Sequence, residues 1–397
     1  MERRKFLLSL GALSALPAIT PLKAINKGKS FQVEKKVSMK VKDVQVLDIL
    51  GKNKYRAYYI KVITDSGLEG LYGPIDPEAV LMVNSVFKKQ LIGQDPLAIE
   101  DFWQRVYTNN RHSRGSYYSI GLSTIDNVLW DLKGKYLGMP VFRLLGGGAR
   151  TKLRAYASCL GFSQEPKALQ EKARQIVTQG YTQQKWFLNG GPTNMNPKSL
   201  ENNVEVVRLL REAVGDNIAL MFDASYSWDL SYAISWAKQV EKYSPYWLEE
   251  PFQSARIENF TELAKETSIA LAAGEHFYGR WDVQEFLSQK AIRIVQADPE
   301  WGGGVSELTK ICNIASVYGV QVIPHGHSML AAMHVVASQP ELVCPLVEFL
   351  IEKMSGDYYY FDKNPISPQN GMVTLSERPG FGIELDESKI ESIKIVS

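Results

Sequence analysis

Apolar and polar positions alternate in two runs near the start of the chain, VKDVQVLDIL and YRAYYIKVITDSG, which the turn residues Gly51 to Lys54 separate. Such alternation is typical of strands with one buried face, and a Gly- and Asn-containing turn predicts a hairpin. A third strand is predicted at Gly70 to Gly73. After Pro77 apolar residues recur at helical spacing through PEAVLMVNSVFKKQLIG, DPLAIEDFWQRVYTN and SIGLSTIDNVLWDLKGKYLG. Residues 38–150 are therefore predicted to form an α+β domain.

From Leu153 short apolar runs alternate with helical stretches for about two hundred residues. Strands are predicted near Arg154–Cys159, Gln183–Leu188, Ala219–Asp223, Tyr246–Glu249, Ile269–Glu275, Arg293–Asp298, Gln321–Pro324 and Leu346–Phe349. Eight strands that alternate with helices predict an α/β fold, a (β/α)₈ barrel of the TIM type over residues 151–354. Residues 355–397 are polar and rich in Tyr and Pro, and we expect them to pack back on the front domain.

Three of these apolar runs lead into carboxylates, namely Asp223, Glu249 and Glu275. In a (β/α) barrel the carboxyl ends of the strands meet at one rim, where the chemistry lies. Three carboxylates at one rim resist ionisation unless a cation lies between them, and hard oxygen ligands suit Mg²⁺. The alternative for each acid is a helix cap that stabilises the next helix.

The other predicted strand ends carry groups that can move protons. His325 and Asp298 form a plausible pair in which the carboxylate fixes the imidazole tautomer, although His327 is a rival to His325. Lys185 is a second base, an anion clamp or a lysine whose ammonium reaches solvent. Glu348 is a proton or hydrogen-bond donor, or a salt-bridged acid.

Charge and composition exclude some classes of partner and of metal site. The 397 residues contain 45 basic and 43 acidic side chains, and the formal net charge of +2 makes nucleic acid an improbable partner. Three cysteines, Cys159, Cys312 and Cys344, lie far apart in the sequence, each in apolar surroundings. They are expected to be ordinary core residues, because no close pair suggests a metal site and their odd number argues against a disulfide framework even in an oxidising compartment.

The first residues, MERRKFLLSLGALSALPAITPLKA, join paired arginines to an apolar run and a small-residue region. This order predicts a signal peptide of the twin-arginine type over residues 1–27, and hence a periplasmic or otherwise exported protein. The alternative is an uncleaved anchor. No later segment is apolar enough for a membrane span, so no stable membrane association is expected after signal removal.

Several stretches together resemble the enolase superfamily, on its mandelate racemase side, and within it the sugar acid dehydratases of the rhamnonate type. They are TIDNVLWDLKGKYLGMPVFRLLGGG, FDASYSW, WLEEPF, AAGEH, QADPEWGGGVSE, VIPHG, CPLVEFL and RPGFGIELD. The resemblance covers nearly everything after Met39. It implies one Mg²⁺ per subunit on Asp223, Glu249 and Glu275, a general base dyad of His325 and Asp298, a Glu348 that helps to hold the enolate, and a homo-oligomer.

One departure from the family bears on the reaction. Relatives that racemise commonly have a Lys-x-Lys pair on the second barrel strand, whereas this chain has Lys185-Trp186-Phe187. A base on one face only favours elimination of water from an aldonic acid, giving a 2-keto-3-deoxy acid. The alternatives are a racemase or epimerase with Lys185 as second base, and a non-catalytic, exported sugar acid binding protein.

Loops of the front domain are expected to close over the barrel mouth and to set specificity. Residues predicted to line the substrate pocket are Tyr72 and Arg114 from the front domain and His276, Trp301 and His327 from the barrel.

Overall fold

The computed structural model describes residues 39–113, 115–192 and 198–396. The predicted signal peptide and Arg114 lie outside these ranges. Within them no helix is both long enough and apolar enough to cross a membrane.

The predicted hairpin and third strand are confirmed at the start of the described chain. Strands β1 (Val41–Gly51), β2 (Arg56–Thr64) and β3 (Glu69–Ile75) form an antiparallel sheet. Burial follows the alternation of the sequence, since Val44 and Val46 are fully buried while the residue between them is partly exposed. The turn from β1 to β2 contains Lys54 at a φ of 71°, a left-handed conformation.

Helices cover one side of this sheet. They are α1 (Pro77–Met82), continued by a π-helical turn (Val83–Phe87), α2 (Lys88–Leu91), α3 (Ile99–Asn109), α4 (Ser116–Leu137) and α5 (Val141–Leu144). Helix α4 is buried along most of its length because it packs on β3 and also on the second half of the chain. It ends at Gly138, whose φ of 66° suits a residue without a side chain.

Eight parallel strands follow, as predicted. They are β4 (Lys152–Ser158), β5 (Gln183–Phe187), β6 (Ala219–Asp223), β7 (Trp247–Glu249), β8 (Ala270–Ala273), β9 (Ile294–Val295), β10 (Gln321–Val322) and β11 (Val347–Leu350). Strands β8, β9 and β10 are shorter than predicted, since they end at Ala273, Val295 and Val322 and not at Glu275, Asp298 and Pro324. The strands pair in the order β10-β9-β8-β7-β6-β5-β4-β11.

Helices alternate with these strands on the outside of the curled sheet. They are α6 (Pro166–Thr178), α7 (Ser199–Val214), α8 (Leu230–Val240) with a 3₁₀ turn (Glu241–Tyr243), α9 (Ile257–Glu266), α10 (Arg280–Ser288), α11 (Gly304–Tyr318), α12 (Met329–Ser338) and α13 (Ile351–Ser355). The interior of the sheet is filled by a separate apolar cluster that includes Tyr156, Met221, Trp247 and Ile323. Since side chains alternate along a strand, Asp223 and Glu249 lie on the same inner face as Met221 and Trp247.

The end of the chain joins both sheets. Strand β12 (Met372–Thr374) pairs antiparallel with β4, a contact that the sequence pattern did not indicate. After a 3₁₀ turn (Glu387–Lys389), strand β13 (Ile390–Val396) pairs antiparallel with β1 and completes the front sheet in the order β13-β1-β2-β3. The domain boundaries at residues 150 and 354 remain predictions.

Helix α4 ties the front of the chain to the barrel by capping α11. The first N–H groups of a helix have no partners within the helix. Here Ser123 Oγ accepts from the Gly303 N–H (2.8 Å), Asn127 Oδ1 from Val305 (3.1 Å) and Asp126 Oδ2 from Ser306 (2.9 Å). All three side chains are buried, so this seam holds α11 and the loop before it in a defined position.

His334 of α12 is a buried histidine outside the barrel rim. Its Nδ1 accepts a hydrogen bond from the Phe142 N–H (3.1 Å), and its ring packs edge-on against Phe381. Burial lowers the pKa of His334 to about 3. Below about pH 6.5 His334 is therefore protonated in the unfolded chain but stays neutral in the folded chain. The free energy of unfolding falls as the pH decreases through that range.

We predict that the wild-type protein loses about 2 kcal/mol more of its unfolding free energy between pH 7.5 and pH 5 than the His334→Asn variant does. Asn keeps an acceptor near the position of Nδ1 but does not titrate. Urea unfolding of both proteins at the two pH values measures this difference, and equal losses would contradict the prediction.

Candidate active site

Four charged side chains meet where β5, β6, β7 and β11 end. Lys185 Nζ lies 2.5 Å from Glu249 Oε1, 2.9 Å from Glu348 Oε1 and 3.6 Å from Asp223 Oδ2. Asp223 and Glu249 are directly paired across β6 and β7, which explains how the sequence brings them together. Lys185, Glu249 and Glu348 are each 1% exposed. The ammonium is thus enclosed by three carboxylates.

The charges of this cluster depend on one another. Burial alone would lower the pKa of Lys185, but Glu249 and Glu348 hold it well above its usual value. Burial alone would raise the pKa of Glu348, but Lys185 and His325 lower it to about 2. Burial raises the pKa of Asp223 and Glu249, which Lys185 opposes. More negative groups than positive ones meet here, so the rim favours a further cation.

The predicted base and its carboxylate are also together. His325 Nδ1 lies 2.6 Å from Asp298 Oδ2, and the Glu300 N–H donates to Asp298 Oδ1 (2.6 Å). The other ring nitrogen, Nε2, lies 3.5 Å from Glu275 Oε2. Burial alone would lower the pKa of His325, but Glu275 and Asp298 raise it to about 10. The two carboxylates thus favour the protonated ring, and the ring becomes a free base at neutral pH only when another cation, such as a metal ion on Glu275, offsets their charge.

The rival histidine, His327, has partners on both ring nitrogens. Its Nε2 lies 2.7 Å from Asp76 Oδ1, and Lys353 Nζ lies 3.0 Å from its Nδ1. Lys353 also donates to the His327 carbonyl oxygen (2.7 Å). His327 is thus fixed as a wall residue, which favours His325 as the base.

Asp76 and Lys353 are functional candidates that the sequence analysis missed as individual residues. Asp76 directly follows β3 of the front domain, and Lys353 follows β11. Asp76 Oδ2 accepts a hydrogen bond from Trp301 Nε1 (2.7 Å), so one carboxylate of the front domain holds two barrel residues.

The predicted substrate-binding residues differ in how exposed they are and in how close they lie to His325. The Trp301 ring lies 4.9 Å from that of His325 and 4.7 Å from that of His327, between centroids. His276 is partly exposed, and its Nδ1 lies 2.6 Å from the Tyr226 hydroxyl. Tyr72 is fully buried and donates to the Glu300 carboxylate, so it lies behind the wall of the site rather than on its surface.

The described residues include one group of three side chains that can offer ligand atoms within 4.8 Å of one another, Glu250, Glu275 and His276. Only Glu275 belongs to the predicted ligand set. Tyr226 donates to Glu275 Oε1 (2.8 Å) and adjoins the same group. Glu250 directly follows Glu249 in the sequence, which is the one signal that could have identified it.

The backbone at these strand ends is unusual. Ser225, Tyr226 and Glu250 have φ values of 46°, 59° and 39°, in the left-handed region that non-glycine residues rarely adopt. Such conformations cluster at functional sites because the surrounding structure imposes them. They turn the chain just after β6 and β7.

A cavity of about 280 Å³ lies over this rim. It is lined by Leu160, Lys185, Phe187, Asp223, Ser225, Tyr226, Glu275, Trp301, His325, His327, Glu348, Leu350 and Lys353. A larger cavity of about 840 Å³ lies at the opposite ends of the strands, where Ala219, Ala270 and Gln321 begin them. It contains none of the candidate residues, so the smaller cavity is the candidate active site.

We predict that Lys185→Met lowers the unfolding free energy by about 3–5 kcal/mol, because it leaves buried carboxylates without their counter-charge. Lys61→Met is the matched control. Lys61 pairs with Glu69 at the surface (2.9 Å), and its loss should cost no more than about 1 kcal/mol. Urea unfolding of the two variants makes the comparison, and similar small losses in both would refute the prediction.

Comparisons with known proteins agree with this geometry. The N-terminal domain model of the mandelate racemase / muconate lactonizing enzyme family matches residues 38–146, and the enolase C-terminal domain-like model matches residues 168–389. The arabinonate dehydratase of Saccharolobus solfataricus is 32% identical over 331 residues, which cover 82% of this chain and 86% of that protein. A D-galactonate dehydratase of Pectobacterium atrosepticum is 30% identical over 349 residues, covering 84% and 90%.

Solved structures are similar over almost their whole length. A member of the enolase superfamily from Salmonella Typhimurium has a TM-score of 0.81 and 28% identity, covering 90% of this chain and 100% of that one. The 3,6-anhydro-D-galactonate cycloisomerase of Zobellia galactanivorans has a TM-score of 0.76 and 26% identity, covering 89% and 100%. The chain therefore belongs to the enolase superfamily, in its mandelate racemase / muconate lactonizing enzyme group, and has a modified (β/α)₈ barrel with an N-terminal capping domain.

Proposed function

We propose that this protein is a Mg²⁺-dependent hydro-lyase that removes water from an aldonic acid and releases a 2-keto-3-deoxy acid. The observation that carries the proposal is the position of Lys185. Its ammonium contacts Asp223, Glu249 and Glu348, and these three contacts assign it the role of a fixed positive charge rather than of a base. A single base, His325, is left for proton abstraction. One-base chemistry favours elimination over racemisation.

The relatives support the same class of reaction. Two similar proteins are named arabinonate dehydratase and D-galactonate dehydratase, and both are matched over more than four fifths of this chain. We infer a sugar acid as the substrate of this chain from their names together with the small cavity, which several charged side chains line.

The rim has the donor set that a hard divalent cation prefers. We propose that Asp223, Glu249 and Glu275 hold Mg²⁺, with Glu250 and His276 adjoining Glu275. These carboxylates outnumber the one ammonium of Lys185 that lies among them. Burial raises the pKa of Asp223 and Glu249, and a bound cation would offset this by stabilising their ionised forms. When bound, Mg²⁺ supplies positive charge where negative charge develops on the substrate carboxylate.

The protein's own residues perform the proton transfers in this scheme. His325 Nε2 takes the proton from the carbon next to the substrate carboxylate, while Asp298 holds Nδ1 and fixes the ring. The ammonium of Lys185 stabilises the charge that develops on the carboxylate, and Glu348 keeps that ammonium in place. The C–O bond to the neighbouring hydroxyl then breaks, the proton on His325 leaves with that hydroxyl as water, and the enol product becomes the 2-keto acid.

Side chains in the outer wall of the cavity contact the substrate hydroxyls that do not react and so determine which sugar acid binds. Trp301 supplies a flat apolar surface, and His327 and Lys353 supply polar edges that Asp76 holds in position. We also propose that the protein works outside the cytoplasm, on the basis of the predicted twin-arginine leader.

The direct test is a panel of aldonic acids incubated with the pure protein and Mg²⁺. We expect a 2-keto-3-deoxy product from at least one acid and loss of turnover when the metal is chelated. Product is measured with a colour reagent for 2-keto-3-deoxy acids and by proton NMR. Deuterium exchange next to the carboxylate without any keto product would indicate a racemase, and tight binding without turnover would indicate a binding protein; either result would overturn the proposal.

The two histidines give a second prediction. His325→Asn should lower kcat by at least about 10³-fold and abolish deuterium exchange at the carbon next to the carboxylate, because general base catalysis is lost. His327→Asn should raise KM and preserve exchange, because it removes only a wall residue. Exchange followed by NMR in D₂O separates the variants, and loss of exchange in His327→Asn alone would reverse the assignment.

A further inference from the structure

Two of the three cysteines meet in the fold although 31 residues lie between them in the sequence. Cys312 on α11 and Cys344, in the loop before β11, have their Sγ atoms 3.6 Å apart, and both side chains are 0% exposed. All three cysteines are buried, as the sequence analysis expected, but the contact between these two was not predicted. The third cysteine lies elsewhere, and Cys159 Sγ contacts the Ala157 carbonyl oxygen. All three are free thiols in this structure.

The backbone on each side of the pair is held in place. Cys312 lies on the buried face of a four-turn helix whose start is capped by α4. The Cys344 N–H donates to the Pro340 carbonyl oxygen (2.9 Å), and its own carbonyl oxygen accepts two hydrogen bonds from the Arg150 guanidinium (both 3.0 Å). Arg150 also donates to the carbonyl oxygens of Val336 and Gln339, so it organises the whole loop. The two sulfurs are therefore kept in contact rather than meeting by chance.

We propose that Cys312 and Cys344 form a disulfide bond in the exported protein, with a small thiol–disulfide compound as oxidant. The inference is independent of the proposed reaction and rests on the sulfur contact and on the proposed export, by the predicted leader, to an oxidising compartment. One thiolate attacks the oxidant disulfide and forms a mixed disulfide, which releases one thiol. The second thiolate then attacks the protein sulfur and releases the other thiol. The protein loses two protons and two electrons, and the oxidant disulfide is reduced to two thiols.

Burial decides how fast this bond forms and how long it lasts. The neighbouring Cys344 thiol, together with burial, raises the pKa of Cys312, and a protonated thiol is a poor nucleophile. Exchange in the folded protein is therefore slow and requires local opening. The same burial protects the bond from reductants after it has formed.

The bond would enclose the segment that carries the candidate base. Strand β10, His325, His327 and helix α12 all lie between the two cysteines. Neither sulfur lines the active-site cavity, so oxidation leaves the chemistry unchanged. It stabilises the fold by restricting the unfolded chain, and for a loop of this length in a chain of this size the melting temperature should rise by about 5 °C.

The test uses the full chain, reduced and then equilibrated with oxidised glutathione, both in the folded state and during refolding from urea. After alkylation of free thiols in urea without reductant, we expect one alkyl group per chain instead of three, a linked Cys312–Cys344 peptide after proteolysis, and the higher melting temperature. Full alkylation of all three cysteines in both arms, or glutathione adducts in place of the link, would overturn the proposal.

Matched variants identify the pair. Cys159→Ser should form the link and gain the same thermal shift as the wild type. Cys312→Ser and Cys344→Ser should each show neither, and an unchanged shift in either variant would mean that another residue is responsible.

Discussion

The ammonium of Lys185 is the constraint on which the barrel rim depends. Isolated buried carboxylates are costly, and three of them at one end of a barrel would repel one another. Lys185 makes their approach possible through contacts of 2.5 Å to Glu249 and 2.9 Å to Glu348, with Asp223 at 3.6 Å. The same contacts hold the ammonium among carboxylates. A residue that looks like a possible base in the sequence is thus placed as a fixed positive charge, which is the role that the proposed one-base elimination gives it.

The sequence predicted the site residues that recur at the ends of successive barrel strands. Parallel strands that end in acids place those acids at one rim by topology alone, so Asp223, Glu249 and their neighbours could be grouped without coordinates. The dyad of His325 and Asp298 could be grouped in the same way. The eight strands were found because each is a short apolar run between amphipathic helices, although the ends of β9 and β10 were extended too far.

Contacts between distant loops could not be predicted from such patterns. Asp76 meets His327 and Trp301 only because β3 of the capping domain ends over the barrel mouth, and nothing local in the sequence encodes that distance. Glu250 was not among the predicted site residues because the preceding residue, Glu249, was already assigned as the acid at the end of that strand. The left-handed backbone of Glu250 directs its side chain toward His276. The contact between Cys312 and Cys344 depends on how α11 packs against the loop before β11. Tertiary packing, not local pattern, supplies this part of the site.

The pairing of β13 with β1 also affects how the chain is made. Val46 and Val396 are partners in the front sheet, so this sheet reaches its final strand order only after the last strand of the described chain has been synthesised. Until then β1 has an unpaired edge, and exposed strand edges are sites of unwanted association. Contacts between the two ends of a chain are also slow to form, since a long loop must close first. The nascent protein therefore remains vulnerable at its amino-terminal sheet throughout translation, and loss of a few carboxyl-terminal residues would prolong that state in the finished molecule.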